Sequence, residues 1–281
     1  MAATIMMAAQ APQEGSKGGE TSPDAVDAYD VELCAWRSNV GVPRARFKPG
    51  QMSVESTALI VDAESIRKTY RNGSTEIVAV EAASLCLKAG EFVALTGPSG
   101  CGKSTLLNML ACVEVPTAGV LRIAGRATGS LGDDELTSLR RTAIGYVFQF
   151  FNLMPMLTVR ENVALPLLLS GWARRRIRPA VAAALQAVGL RDQAEQRPAT
   201  LSGGQQQRAA IARAIIHSPK LVLADEPTGN LDTRTGTDVL TLLRRMQRDR
   251  DLTVLMATHN ADAAHAADRI IRMRDGKIEA H

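Results

Sequence analysis

The chain lacks any long apolar run. Its 281 residues are 46% hydrophobic and 22% charged, which is the composition of an ordinary globular protein. No stretch approaches the ~18 apolar residues that a membrane-spanning helix needs, and the longest, around Val163–Leu169, is interrupted by Pro166. The apolar start, Met1–Ala9, has no basic residues before it and therefore makes a poor secretory signal. We expect a soluble cytoplasmic chain that works at a membrane only through another polypeptide.

The chain also lacks the cysteine spacing of a metal site and the strong positive charge of many nucleic-acid-binding proteins. Its four cysteines form no C-x-x-C pair, so neither a zinc site nor a disulfide framework is indicated. Reduced thiols in a reducing compartment fit best. The formal net charge of +4 is modest, and a solvated basic surface explains it better than a nucleic-acid partner does. We therefore expect no nucleic-acid partner.

Residues 1–51 lack sustained periodicity. They are rich in Ala, Gly, Ser, Pro and mixed charge, which predicts a disordered N-terminal extension. Met52 begins a segment that fits the start of a compact domain, so it is a candidate for the true translation start. We predict that the structured domain covers residues 57–281.

From Ala58 onward the pattern predicts strands, and later strands alternate with helices. Three short segments predict antiparallel strands, namely Ala58–Val61, Ile77–Val80 and Ser84–Leu87. Further strands are predicted over Glu91–Thr96, Val120–Ala124, Ile144–Phe148, Leu221–Ala224 and Thr253–Ala257. Strands that alternate with helices are typical of a mostly parallel α/β core. A closing hairpin is predicted over Arg269–Ile278, with its turn at Asp275-Gly276.

Between residues 150 and 219 the pattern becomes helical, which predicts a helical insertion between core strands. Capping boxes at Thr158-Val-Arg-Glu161 and Ser202-Gly-Gly-Gln205 predict two helix starts. Pro179–Val188 predicts a third helix, which Gly189 ends. Outside the insertion, helices are predicted over Lys103–Ala111 and near Thr235–Met246.

A phosphate-binding loop follows the predicted strand Glu91–Thr96. Residues 97–104 read Gly-Pro-Ser-Gly-Cys-Gly-Lys-Ser, which has the form G-x-x-x-x-G-K-[ST]. Its glycines let backbone N–H groups at a helix N-terminus approach phosphate closely. Lys103 supplies charge to the β and γ phosphates, Ser104 offers a hydroxyl to Mg²⁺, and Thr105 can reach the α phosphate. The predicted nucleotide-binding residues are Gly97, Pro98, Ser99, Gly100, Cys101, Gly102, Lys103, Ser104 and Thr105.

An acidic pair ends the apolar run Leu221–Ala224. Asp225 is therefore predicted at the carboxyl edge of a buried strand, where open α/β sheets bind ligands, and we assign it to Mg²⁺. Glu226 comes next, where a carboxylate can act as general base on the attacking water.

Leu201-Ser-Gly-Gly-Gln205 completes a set of three motifs whose order resembles the ATP-hydrolysing subunits of ABC transporters. The resemblance covers about residues 57–281, with one copy of each motif. It implies an α/β fold with a P-loop NTPase core and a mostly parallel sheet, an N-terminal antiparallel β subdomain and an inserted helical subdomain. It also implies that ATP and Mg²⁺ are the cofactors.

The resemblance assigns further residues one by one. Gln149 matches the glutamine that contacts Mg²⁺ or the lytic water and senses the membrane partner, and His259 matches the histidine that contacts the γ phosphate. Tyr70 falls where the family has an aromatic residue that stacks on adenine. Asp232 ends Pro227-Thr-Gly-Asn-Leu-Asp232, which matches the family's D-loop region.

In the family arrangement, two copies pack head to tail. Ser202, Gly203, Gly204 and Gln205 of one copy then face the γ phosphate held by the other, which is a helix N-terminus supplied to an anion in trans. The implied partners are a second copy of the chain and an integral membrane permease subunit. The implied location is the cytoplasmic face of a bacterial cell membrane.

Several longer segments of the sequence resemble those of one branch of the ABC family, the branch that contains macrolide-exporter and lipoprotein-releasing ATPases. They include Gly145-Tyr-Val-Phe-Gln-Phe-Phe-Asn-Leu153 and Leu223-Ala-Asp-Glu-Pro-Thr-Gly-Asn-Leu-Asp232. A departure from the family pattern lies at Ala111-Cys-Val-Glu-Val-Pro116, where relatives usually have a Gly and an Asp.

Three alternatives stay open at this point. A mechanotransmission ATPase that regulates cell-wall hydrolysis in division is disfavoured because its relatives usually carry Glu at the position of Gln205. A soluble, non-transport ABC ATPase of DNA repair or translation is disfavoured by the single motif set and the lack of a long insertion. A nucleotide-binding scaffold without hydrolysis ranks last because every expected catalytic position is filled.

Overall fold

The computed structural model describes residues 58–73 and 75–279. The predicted extension over residues 1–51, and Met52 with it, lie outside the described residues. The strands are β1 (Leu59–Asn72), β2 (Thr75–Lys88), β3 (Phe92–Thr96), β4 (Ala118–Ile123), β5 (Arg126–Ala127), β6 (Ile144–Val147), β7 (Leu221–Asp225), β8 (Thr253–Thr258), β9 (Arg269–Arg274) and β10 (Lys277–Ile278). The helices are α1 (Lys103–Leu110), α2 (Asp133–Ala143), α3 (Val159–Leu169), α4 (Arg174–Ala187), α5 (Gly203–Ile215), α6 (Thr233–Arg250) and α7 (Ala261–Ala264).

Two sheets organise these elements. The first has the order β2-β1-β4-β5 and is antiparallel. The second has the order β10-β9-β3-β8-β7-β6, and its strands from β9 to β6 are parallel. The predicted α/β fold, with an antiparallel sheet beside a mostly parallel one, is confirmed. No described helix combines the length and the apolar character that a bilayer crossing requires.

The parallel sheet separates two apolar cores, and β3 contributes to both. Phe92 and Ala94 pack into the core on the side of α3 to α6. Val93 and Leu95 pack into the other core, which contains α1, α2 and residues of the antiparallel sheet. Because successive strand residues point to opposite faces, an uninterrupted apolar strand is expected when both faces of a sheet are covered.

Strand register brings the polar ends of the parallel strands together. Thr96, the last residue of β3, lies opposite Thr258 of β8, and Asp225 of β7 lies opposite Ala257. The residues that follow these strands therefore share one edge of the sheet. Gln149 follows β6 at the same edge.

Most predicted elements are present, with different bounds. The segments Ile77–Val80 and Ser84–Leu87 belong to one strand, β2, instead of two. The third predicted insertion helix begins at Arg174 rather than at Pro179, which lies inside α4. No helix was predicted over Asp133–Ala143, where α2 is found.

Candidate active site

The phosphate loop connects β3 to α1 in a conformation that requires glycine. Gly102 is the N-cap of α1 and has a φ of 104°. A Cβ atom at this position would lie 2.4 Å from the carbonyl oxygen of Ala79, closer than real Cβ contacts allow. The loop backbone can therefore approach β2 and open toward a ligand only because this residue has no side chain.

Lys103 lies at the centre of the loop. Its side chain is buried, and its Nζ donates to the carbonyl oxygens of Gly97 at 2.8 Å and Pro98 at 3.0 Å. The loop wraps around the ammonium group, which is the counter-charge that a bound phosphate needs. The lysine is thus already positioned at the N-terminus of α1.

Asp225 ends β7 beside Ser104. The Ser104 hydroxyl donates a hydrogen bond to the Asp225 carboxylate, while burial raises the pKa of Asp225 and the neighbouring Glu226 raises it further. The Ser104 hydrogen bond and the charge of Lys103 act in the opposite direction. The carboxylate is therefore desolvated and close to two residues of the phosphate loop.

Glu226 and His259 form a hydrogen-bonded pair above the loop. His259 Nδ1 lies 2.8 Å from Glu226 Oε1, and the carboxylate side chain is only 12% exposed while the imidazole is 59% exposed. Glu226 adopts a left-handed φ of 46°. Its N–H donates to Ala257 and its carbonyl accepts from Gly229, at 2.9 and 3.0 Å, so main-chain bonds hold this unusual conformation.

Gln149 is tied to the segment that follows Glu226. Asn230 Nδ2 donates to the main-chain oxygen of Gln149 at 2.8 Å. The Gln149 amide nitrogen also packs against Gly229, where an added Cβ would lie 3.3 Å from it. The segment after β6 and the segment after β7 are therefore in direct contact at the edge of the sheet.

These side chains line one cavity of about 350 Å³. The structure thus gathers most of the predicted residues, and the lining consists of Ala79, Ser99, Gly100, Gly102, Lys103, Ser104, Thr105, Gln149, Asp225, Glu226 and His259. Gly97, Pro98 and Cys101 shape the loop behind this surface.

Tyr70 lies beside the cavity rather than in its lining. Its hydroxyl donates to Glu114 Oε2 at 2.6 Å, and Thr105 also hydrogen-bonds to the side chain. Lys68 lies over the ring, 5.3 Å from its centroid. The ring is 38% exposed and lies next to the start of α1.

Ser202, Gly203, Gly204 and Gln205 do not line the cavity of their own chain. They form the N-terminus of α5, where Ser202 Oγ accepts from Gln205 N and Gln205 Oε1 accepts from Ser202 N. A Cβ at Gly204 would lie 2.3 Å from Thr235 Cγ2, so this glycine permits close contact with α6. Asp232 caps α6 by accepting from Thr235 N at 3.0 Å.

The residues present fit a magnesium ion that is bound together with phosphate. Within the described ranges, no group of three His, Cys, Asp or Glu side chains could hold a metal by itself. Mg²⁺ is usually held by one or two carboxylates together with substrate phosphates. The Asp225 carboxylate, the Ser104 hydroxyl and the Gln149 amide in one cavity match that donor chemistry.

Several supporting residues were not predicted from the sequence. Glu114 joins Tyr70, Lys68 and Asn108 in one polar network. Asn162 is fully buried on α3 and hydrogen-bonds to the main chain of Met154, Leu157 and Thr158. The only sequence pattern that could have identified Asn162 is its position as a polar residue on the buried face of an apolar helix. No sequence pattern identified Glu114.

A strand, a glycine-rich loop and a helix that begins with Lys-Ser, beside a strand-end acidic pair, define a P-loop nucleotide-binding domain. Comparison with known proteins gives the family. The ABC transporter family profile matches residues 80–229, more than half of the chain. The chain belongs to the ABC transporter family and is one of its ATP-binding domains.

Curated relatives agree with this assignment. A macrolide export ATP-binding/permease protein, MacB, of Brucella melitensis is 45% identical over 221 residues, which are 79% of this chain and 34% of the relative. The chain thus spans about a third of that protein. An uncharacterized ABC transporter ATP-binding protein of Methanocaldococcus jannaschii, MJ0796, is 44% identical over 230 residues, or 78% of this chain and 95% of the relative.

Solved structures agree as well. The dimeric, post-hydrolysis structure of the ATP-binding cassette MJ0796 bound to ADP and Pi matches with a TM-score of 0.73 and 42% identity, covering 78% of this chain and 97% of that one. The cbiO1 structure from Clostridium perfringens, part of the ABC transporter complex cbiONQ, matches with a TM-score of 0.72 and 27% identity, covering 79% and 88%.

Proposed function

We propose that this chain is the ATP-hydrolysing subunit that powers an exporter-type membrane ABC complex. The observation that carries the proposal is the Glu226–His259 pair, which faces the phosphate loop across one cavity. The macrolide-exporter relatives favour the exporter type over the mechanotransmission and soluble alternatives. We place the protein at the cytoplasmic face of a cell membrane.

In this proposal, the chain's own residues position and activate the reactants. The N–H groups at the start of α1 and the Lys103 ammonium hold the phosphates, and Tyr70 stacks on the adenine ring. Glu226 accepts the proton of the attacking water as general base. His259, bonded to Glu226, orients that carboxylate and contacts the γ phosphate.

Magnesium would be held by Ser104, Asp225 and Gln149. When it is bound, it neutralises charge on the β and γ phosphates. Asp225 and Ser104 line the same cavity, so both can present oxygen atoms to the ion. The same cavity thus offers donors for both phosphate and metal.

A second copy would complete the site. The N-terminus of α5, with Ser202, lies outside the cavity of its own chain, and an exposed helix N-terminus attracts anions. We propose a head-to-tail dimer in which this terminus meets the γ phosphate bound by the partner copy. Two solved structures of the relative MJ0796 are dimeric, which supports the pairing of two copies.

The membrane permease would dock on the exposed apolar surface formed by α3 and the segment before it. Phe150 and Met156 are 71% and 75% exposed. Leu168, which is 49% exposed, adds to this surface. It lies in a groove of about 300 Å³ between α3 and α4, whose lining also contains the charged residues Arg160, Glu161, Arg174 and Arg178. Exposed apolar patches of this kind mark protein interaction sites.

Affinity purification from mild-detergent membranes tests the proposal. We expect the tagged chain to recover an integral membrane protein, with Mg²⁺-dependent ATPase activity that is lost in Glu226→Gln. Recovery of only soluble partners or nucleic acid would contradict the membrane assignment and leave the ATPase assignment standing. Absence of ATPase activity in the complex would contradict both.

A further inference from the structure

The segment that follows Gln149 has an unfavourable backbone conformation. Phe151 and Asn152 have φ values of 60° and 48°, so two consecutive non-glycine residues are left-handed. Such residues are uncommon and persist only where their surroundings hold them. Something outside the segment must therefore stabilise it.

Arg213 supplies that support. Its Nη2 donates to the carbonyl oxygen of Phe151 at 2.8 Å, and its Nη1 donates to that of Asn152 at 2.5 Å. The guanidinium group is a rigid planar fork, so it can satisfy two neighbouring carbonyl oxygens at once. Arg213 lies on α5, the helix that starts at Gly203 directly after Ser202.

A side-chain contact joins the same two elements. A Cβ at Gly203 would lie 3.8 Å from Phe151 Cζ and 3.2 Å from Leu231 Cδ2. The Phe151 ring therefore reaches the first turn of α5. The Gln149 segment is held to α5 at the guanidinium of Arg213 and at this ring, while Asn230 holds Gln149 from the other side.

We propose that Arg213 is a positioning residue for ATP hydrolysis: by holding the Phe151 and Asn152 carbonyls, it fixes Gln149 in the cavity and makes that residue move with α5. The inference rests on the proposed function, because it assigns Gln149 to Mg²⁺ and the attacking water. Arg213 itself contacts neither nucleotide nor metal. Arg213 acts on Gln149 through the main chain of Phe150 and Phe151, which connects Gln149 to the carbonyl oxygens that the guanidinium group holds.

The test compares Arg213→Met, Arg213→Lys and Arg245→Met in the full chain. Arg245 is a matched control, since it is also partly buried and donates to a main-chain oxygen, that of Ala187 at 2.7 Å. Because two charge-assisted hydrogen bonds are lost, we expect Arg213→Met to lower kcat about 10- to 100-fold. The Kd for a fluorescent ATP analogue should change little, since the phosphate loop is untouched.

Two further readouts separate positioning from general destabilisation. The Mg²⁺ concentration for half-maximal activity should rise in Arg213→Met and not in Arg245→Met. Amide hydrogen exchange should become faster over residues 148–157 in Arg213→Met alone. Arg213→Lys should recover part of kcat, because a lysine can reach one carbonyl oxygen but cannot bridge both.

Equal effects of Arg213→Met and Arg245→Met on kcat, Mg²⁺ dependence and exchange would overturn the proposal. A wild-type chain without ATPase activity would instead contradict the proposed function. In that case, hydrogen exchange still decides the structural part: unchanged exchange over residues 148–157 in Arg213→Met would show that Arg213 does not hold the segment.

Discussion

Glu226 shows how local strain and chemistry coincide at a single residue. A left-handed conformation is unfavourable for glutamate, yet two main-chain hydrogen bonds maintain it at the end of β7. The turn directs the side chain toward His259 instead of along the strand. Glycine would adopt this left-handed conformation at a lower energetic cost than glutamate. The presence of glutamate at a strained position therefore suggests that its carboxylate has a function.

Replacing Glu226 with Gln should separate binding from hydrolysis. The amide keeps the shape of the side chain but cannot accept the proton of water, so we expect ATPase activity to fall about 10²- to 10⁴-fold while nucleotide affinity is retained. Size-exclusion chromatography with ATP should show a stable dimer. Glu195→Gln, on the exposed side chain that pairs with Arg160, serves as the control. Wild-type turnover in Glu226→Gln would refute the assignment of the base.

Asp225→Asn should raise stability and abolish Mg²⁺-dependent activity. Burial raises the pKa of Asp225, so the folded state disfavours its charge, and stability is lost as pH rises through the folded pKa. The variant should therefore be more stable than wild type at neutral pH, with Tm rising about 2–4 °C per kcal/mol gained. The two proteins should converge below the unfolded pKa of 3.8, where the carboxyl group is neutral in both states. Thermal unfolding at several pH values measures the difference in Tm between the two proteins. A lower Tm for Asp225→Asn than for wild type at neutral pH would contradict the prediction.

At the scale of elements, α3 and α5 begin with the same structure and are predicted to differ in function. Thr158 exchanges hydrogen bonds with Glu161, as Ser202 does with Gln205. Both capping boxes were predicted from the sequence and both are confirmed. In the proposed dimer, the start of α3 contacts no nucleotide, whereas the start of α5 meets the nucleotide of the partner copy.

Thr158→Ala and Ser202→Ala should therefore lower the free energy of unfolding by similar amounts but differ in their effect on ATPase activity. Each loses an N-cap worth about 1 kcal/mol, which urea unfolding can measure. Only Ser202→Ala should reduce kcat, by about tenfold or more, since it alone removes a group near the γ phosphate. A comparable loss of kcat in both variants would mean that the α5 cap is merely structural.

The elements that could be predicted are those specified by local chemistry. Asp275 and Gly276 have φ values of 48° and 78° and form the predicted hairpin turn, and Gly189, at 67°, follows the end of α4 as predicted. The start of α4 was misplaced because proline favours the first turn of a helix, whereas Pro179 lies in the second turn. The missed helix α2 has three acidic residues in its first turn and two arginines in its last, a charge signal that apolar periodicity overlooks.

At the scale of the whole molecule, the sequence predicts the part of the candidate site that lies within one chain, but not the part that a second copy would supply. Asp225 was predicted at the carboxyl edge of a buried strand, where open α/β sheets bind ligands, whereas Gln149 and His259 were assigned from the family resemblance; the cavity contains all three. The contacts of Arg213 could not be predicted, since they join residues 61 and 62 positions apart. Those of Asn162 depend on how the non-helical segment before α3 packs against that helix. The proposed role of Ser202 depends on a second copy, which no pattern within one chain specifies.

A mixing experiment tests whether the second copy supplies Ser202. Lys103→Ala destroys the phosphate loop of a chain and leaves its α5 terminus intact, while Ser202→Glu places a negative charge where the partner's γ phosphate should lie. Each variant alone should have almost no ATPase activity. In a mixed dimer of the head-to-tail kind, the symmetry of the interface puts both defects in one site and leaves the other site complete. Random exchange between equal amounts makes half of the dimers mixed, with one good site in two, so activity should return to about a quarter of the wild-type value when the sites act independently. If Ser202 acted on the nucleotide of its own chain, every site in the mixture would carry a defect, and mixing would restore nothing.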